Sequence, residues 1–158
     1  MFDASLENYC DGNYTGEMPD PIQALIQLTS GLDYLHSKWL IHGEIRPQNV
    51  VITQRKPVRV KWIDYGLSVA FNRSSSFYTD GICGSLGWMA PEILTQYYEA
   101  TLRKNVLIAI KFTPESDIFA AGCVFFFFLT RGIHPFGTEK SIVSNIKDGN
   151  PTNKSSKF

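Results

Sequence analysis

The sequence predicts a mainly α-helical domain with one small β hairpin. Three observations carry that expectation. Ile22, Leu25, Ile26, Thr29, Leu32 and Leu35 recur at the spacing of one helix face. Val50-Val51-Ile52 and the alternating Val58, Val60 and Trp62 read as two short strands with a turn at 54–57 between them. The run 118–129 is apolar throughout and includes Phe125-Phe126-Phe127-Phe128.

Each element follows in order. Residues 1–20 are turn-rich, with Asp11-Gly12-Asn13 and Pro19-Asp20-Pro21, and no regular element is expected there. Pro21 suits the first turn of a helix, where its missing donor costs nothing, so the helix spans 21–37. After the hairpin, 66–88 is rich in Ser, Gly and Thr and has no period. A loop of that length inside a compact domain points to function. A short helix is expected over 93–98, then an irregular basic stretch over 99–114 with Arg103, Lys104 and Lys111. Helix 115–131 is apolar all round, which predicts the central buried element, and Gly132 stops it. His134-Pro135-Phe136-Gly137 reads as a turn, and 138–148 as a helix through Ile142, Val143 and Ile146. The tail 149–158 is expected to be disordered.

Bulk properties exclude several classes. The chain of 158 residues holds one domain. Its 15 basic and 15 acidic residues cancel, so no nucleic-acid partner is expected in this segment, and only a local basic patch remains open. Cys10, Cys83 and Cys123 have neither disulfide nor zinc spacing and read as free thiols in a reducing compartment. The apolar run 118–129 is shorter than the roughly 17–25 residues of a bilayer span and reads as a core helix.

The chemistry sits in three short stretches. His42-Gly43-Glu44-Ile45-Arg46-Pro47-Gln48-Asn49 offers a carboxylate, a cation and an amide. Asp64-Tyr65-Gly66 adds a second carboxylate beyond the hairpin, and Ala90-Pro91-Glu92 follows the Ser-rich loop. Phosphoryl transfer needs an acceptor for the hydroxyl proton, hard oxygen ligands for metal ions and positive charge near the transferred group. Singly, each stretch is a common turn or cap. Their joint order, with the flanking helices, is what carries information.

That order resembles the C-terminal lobe of a eukaryotic protein kinase. Closest in detail is the inositol-requiring unfolded-protein-response sensor kinase–endoribonuclease family, through Gly84-Ser85-Leu86-Gly87-Trp88-Met89-Ala90-Pro91-Glu92, Ser116-Asp117-Ile118-Phe119 and His134-Pro135-Phe136-Gly137. The resemblance implies a partial kinase domain over 1–158, running from the hinge to roughly the αG helix, with the N-terminal lobe absent. No Gly-x-Gly-x-x-Gly occurs in the sequence.

The implied roles follow residue by residue. Glu44 stands at the catalytic carboxylate, Arg46 at the neighbouring cation, and Asn49 and Asp64 at the two magnesium ligands. Val51 stands at the adenine floor, His42 at a structural position, and Asp117 at a carboxylate that accepts hydrogen bonds from the catalytic loop. The implied cofactors are ATP and Mg2+. The implied partners are a protein substrate, or the chain itself in trans, and possible homodimerisation is part of the same expectation. The implied place is the cytoplasm, on the cytosolic face of the endoplasmic reticulum membrane if the chain is part of a longer one.

Departures from the pattern predict impaired chemistry. Glu44 replaces Asp and sits one methylene longer, and a misplacement near 1 Å costs about a hundredfold in rate. Gly43 replaces an Arg that would pair with a phosphorylated loop. Arg46 replaces Lys, exchanging a point charge for a planar fork. Ser68, Ser74, Ser75, Ser76, Tyr78 and Thr79 lie in a loop that the resemblance makes a site of phosphorylation in trans, with a flexible polar loop as the alternative reading. Ser85 reads as structural, and Glu92 is expected to lack its usual Arg partner. Two alternatives stand beside the enzyme reading: a pseudokinase-type binding or dimerisation module, and a truncated product without function.

Overall fold

Two hydrophobic clusters build the molecule, and the loop with the candidate site runs between them. The computed structural model describes residues 4–64, 69–70, 77–78, 86–102 and 109–153. The helices are α1 (Leu6–Cys10), α2 (Pro21–Ser37), α3 (Pro91–Leu102), α4 (Pro114–Leu129) and α5 (Ile142–Lys147). The strands are β1 (Ala4–Ser5), β2 (Leu40–Ile41), β3 (Val50–Thr53), β4 (Arg59–Trp62), β5 (Val69–Ala70), β6 (Phe77–Tyr78) and β7 (Ala109–Ile110). Single 3-10 turns occupy Pro47–Asn49 and Leu86–Trp88.

The sheet β1-β3-β4 is antiparallel throughout. Ile52 faces Val60 and Val50 faces Trp62, and all four are buried. The alternate residues, Val51 opposite Lys61 and Thr53 opposite Arg59, stand on the other face. Helix α2 covers β4: the Gln27 side chain accepts from the Val60 amide at 2.8 Å, and Trp62 Nε1 donates to the Leu28 carbonyl at 2.9 Å. Ala24, Leu28 and Leu32 of α2 join Val60, Trp62, Val124 and Phe128 in the first cluster. Each such buried Leu is worth about 1.5–3 kcal/mol over an exposed one. The second cluster joins Met89, Ala90, Ile93, Leu94, Ile110 and Ile146.

The predicted helix over 21–37 and the hairpin match α2, β3 and β4. Other segments differ. Residues 4–10 form a strand and a helix: the Ser5 and Asn8 side chains close a reciprocal cap, and Leu6 anchors α1 in the core. That signal was short and masked by the turn residues after it. Helix α3 is longer than 93–98, because Pro91 starts it early and no breaker intervenes before Leu102. The stretch expected to be irregular over 99–114 therefore begins as helix, and β7 pairs with β6. The aperiodic loop holds β5, which pairs with β2. Helix α4 begins at Pro114 behind a Thr113–Ser116 capping box and ends at Leu129. Arg131 and Gly132 follow in left-handed conformations with φ of 57° and 98°. Helix α4 is central but not enclosed, since Ile118 is 59% and Leu129 37% exposed. The tail expected to fray from 149 is held as far as Asn153, whose side chain donates to the His134 carbonyl at 2.8 Å. No helix among the described residues is long and apolar enough to cross a membrane.

Candidate active site

The loop between β2 and β3 hangs from one buried carboxylate. Asp117, in the first turn of α4, is 2% exposed. Its Oδ2 accepts from the His42 amide at 2.8 Å and its Oδ1 from the Gly43 amide at 3.0 Å. His36, near the end of α2, donates Nε2–H to the same Oδ2 at 2.9 Å, because an ionised carboxylate can only accept. One side chain thus ties α2, α4 and the loop together, and its acceptance from the loop backbone is the part the resemblance implies. Gly43 takes φ of 75°, a region open to glycine at no steric cost.

His42 is fully buried beneath the loop. Its Nδ1 accepts from the Glu44 amide at 3.3 Å, and its ring meets Trp62 edge-on at 5.9 Å. Burial pushes the imidazole pKa down, against the opposing pull of Asp117. A neutral ring is what an acceptor Nδ1 requires.

Glu44 is pinned at both ends of its peptide. Its amide donates to His42, and its carbonyl accepts from Asn49 Nδ2 at 2.8 Å. Only the side chain retains freedom, and there Arg46 Nη2 lies 3.4 Å from Glu44 Oε1. The bond from Asn49 Nδ2 turns that amide so that its Oδ1 is the group left for a ligand. Asn49 is buried, and its own carbonyl accepts from the Ile63 amide at 2.9 Å. That bond brings the end of β4, and with it Asp64, beside Asn49. Asp64 is exposed and holds a left-handed φ of 65°. Val51 is half-buried on the open face of the sheet.

The structure therefore joins Glu44, Arg46 and Asn49, and the Ile63 amide bond brings the backbone before Asp64 to Asn49, with Val51 two residues along β3. Asn49 and Asp64 supply hard oxygens, the donor type that Mg2+ takes, and Mg2+ ordinarily keeps waters and substrate phosphates as its remaining ligands. The donor set fits that ion. Among the described residues no group of three or more His, Cys, Asp or Glu forms a complete metal cage. A shallow cavity of about 30 Å3, open to solvent, is bordered by Glu44 and Arg46. Met89, Ile93, Phe112 and Ala120 give it an apolar floor, and Ser116 and Asp117 border it. It touches neither Val51 nor Asp64.

Sequence reasoning missed the bracing of Asp117 by His36. Trp88 packs edge-on against His134 at 4.6 Å and Phe127 at 5.5 Å, locking the Leu86–Trp88 turn onto α4. Burial lowers the His134 pKa to about 4. Glu92 is exposed and makes no ion pair among the described residues. Tyr65, Gly66, Ser68, Ser74, Ser75, Ser76, Thr79, Cys83 and Ser85 lie outside the described residues, as does the Tyr78 side chain.

The fold is compatible with part of a protein kinase domain, and the family model for the protein kinase domain matches residues 3–157. The chain belongs to that family. It is 38% identical over 137 residues to the human serine/threonine-protein kinase/endoribonuclease IRE2, covering 84% of this chain and 14% of that protein. It is 35% identical over 146 residues to the sensor for unfolded proteins in the ER ire1 of Schizosaccharomyces pombe, covering 83% of this chain and 14% of that protein. With ire-1 of Caenorhabditis elegans the identity is 36% over 133 residues, covering 80% of this chain and 12% of that protein. The chain thus resembles the sensor kinases, and it spans a small fraction of their length.

Proposed function

We propose that this chain is the catalytic-loop portion of a serine/threonine protein kinase of the unfolded-protein-sensor type, acting on protein hydroxyls with ATP and Mg2+, and that its chemistry is slow. The observation that carries the reading is the pinned loop. Asp117 fixes its start and Asn49 fixes the Glu44 carbonyl, so Glu44, Asn49 and the strand leading to Asp64 form one rigid edge. Preorganisation of this kind is what phosphoryl transfer asks of a protein.

In this reading Glu44 accepts the proton of the substrate hydroxyl. Arg46 holds that carboxylate in place and adds positive charge beside the transferred group. Asn49 Oδ1 and the Asp64 carboxylate hold Mg2+, which when bound neutralises the phosphate oxygens. Val51 offers an apolar surface to the adenine. The pocket floored by Met89, Ile93 and Phe112 receives the polypeptide around the acceptor residue. Slowness follows from two features. Glu44 is a methylene longer than Asp, which displaces its carboxylate, and the contact with Arg46 Nη2 at 3.4 Å holds it to one side. Gly43 offers no guanidinium to a phosphorylated loop, so phosphate there gains no bidentate partner.

The test is Glu44→Asp in the chain fused behind a nucleotide-binding N-terminal lobe, with autophosphorylation followed by mass spectrometry. Turnover should rise by about an order of magnitude or more. An unchanged or lower rate refutes the assignment of Glu44 as a displaced base.

A further inference from the structure

Three successive carbonyls of the turn after α4 are each held from outside it. Asn153 Nδ2 donates to the His134 carbonyl at 2.8 Å, the Asn153 amide to the Pro135 carbonyl at 3.0 Å, and Asn145 Nδ2 to the Phe136 carbonyl at 2.8 Å. The His134 ring is fixed as well, because its Nδ1 accepts from the Phe136 amide at 3.1 Å. That ring is buried and stands edge-on to Trp88, with centroids 4.6 Å apart and planes at 76°. Trp88 borders the cavity beside Glu44. We propose that His134 is a positioning residue for the polypeptide substrate: it seats Trp88, and through Trp88 it holds the cavity wall against which the acceptor segment rests. The role rests on the proposed function, under which that cavity takes the polypeptide.

The contacts run without a break from the turn to the cavity. Trp88 also meets Phe127 of α4 edge-on at 5.5 Å, so two rings locate the indole. The Leu86–Trp88 turn is packed against α5: a Cβ on Gly87 would lie 3.2 Å from Ile142 Cγ2, tighter than ordinary contact. Met89 follows Trp88 directly, is buried, and floors the same cavity. Its amide donates to the Leu86 carbonyl at 3.3 Å, which closes the turn. His134 does not itself border the cavity, so it acts there through Trp88.

Filling the core does not by itself call for histidine here. An aliphatic side chain occupies such a space, whereas a ring with an acceptor atom both takes the Phe136 amide and meets Trp88 edge-on. The two roles also separate in their consequences. Loss of a core side chain lowers stability and leaves the cavity wall in place. Loss of a positioning side chain moves the wall, and a displacement near 1 Å between reacting groups costs about a hundredfold.

The test uses the chain fused behind a nucleotide-binding N-terminal lobe, with a fluorescein-labelled peptide copying residues 70–80 of this chain, which offers Ser74, Ser75, Ser76 and Thr79. Peptide affinity is read by anisotropy, and phosphate transfer by mass spectrometry across a range of peptide concentrations. His134→Ala should raise the peptide Kd and KM about tenfold, with kcat and ATP affinity unchanged. His134→Phe keeps a ring beside Trp88 and should restore both values. Leu94→Ala removes a buried side chain of the same cluster that does not border the cavity, and should lower the urea midpoint without moving Kd or KM. Trp88→Leu breaks the contact from the other side and should match His134→Ala, so it carries the test if His134→Ala does not fold. No peptide binding by the unsubstituted fusion, equal shifts of Kd in His134→Ala and Leu94→Ala, a fall in kcat at unchanged KM, or no recovery in His134→Phe would each overturn the proposal. The expected pattern of Kd with no phosphate transfer by the unsubstituted fusion would instead overturn the proposed function and leave the seating of the peptide standing.

Discussion

Replacing Asp117 should cost more than any other single change near the loop. The carboxylate accepts from the His42 amide, the Gly43 amide and His36 Nε2 at 2.8, 3.0 and 2.9 Å. Hydrogen bonds to a charged acceptor are worth about 1.5–3 kcal/mol each, and stranding buried donors adds a desolvation cost. Asp117→Ala should therefore lose about 3–5 kcal/mol, a large share of the roughly 5–15 kcal/mol that holds a domain of this kind. Asp117→Asn keeps one oxygen but turns an NH2 towards donors, so it should fall between. Thr113→Ala removes a cap bond to the Ser116 amide at 3.3 Å and an exposed side-chain bond to Glu115, and should cost about 1 kcal/mol. Urea titration followed by circular dichroism gives the ranking, and amide exchange at Gly43 should quicken in both Asp117 variants. If Asp117→Ala costs no more than Thr113→Ala, the carboxylate is not what suspends the loop.

His134 has its pKa lowered to about 4 by burial, so the unfolded chain binds the proton more readily. Stability is then fully present above about pH 6.5 and is lost as pH falls towards 4, by up to about 3 kcal/mol, and His134→Phe should flatten that part of the profile. Burial pushes the Cys10 thiol up to about 11 and Cys123 up to about 12, so both should resist alkylation at pH 8 in a timed mass-spectrometric assay. Gly137 has φ of 105°, and an added Cβ would sit 2.7 Å from Ser141 Oγ, so Gly137→Ala should cost about 1–3 kcal/mol.

The sequence showed the long periodic elements and the order of the site, and hid what depends on packing. Helix α2 was legible because its apolar residues recur along one face, and the hairpin because Val58, Val60 and Trp62 alternate. Helix α1 was not, because five residues are too few to show a period; its reciprocal Ser5–Asn8 cap becomes visible only in three dimensions. Composition could not tell that α4 leaves Ile118 and Leu129 uncovered, since an all-apolar helix has no polar stripe to mark its outer side. For the site, the stretches at 42–49 and 64 were named from their order, and the backbone bond from Ile63 to Asn49 links them. The Arg46–Glu44 contact was beyond reach of the sequence, because it depends on two side-chain rotamers. So was the bracing of Asp117 by His36, which joins residues 81 positions apart.

The small part played by Gln27 has a wider consequence. An outermost strand invites a stranger's backbone to zip alongside it, and proteins that leave such a border bare tend to clump. Here one carboxamide occupies the Val60 amide, and like-charged side chains on the same strand repel another copy of it. Gln27→Leu should unlatch that border and make the protein self-associate as its concentration rises, with its helices intact.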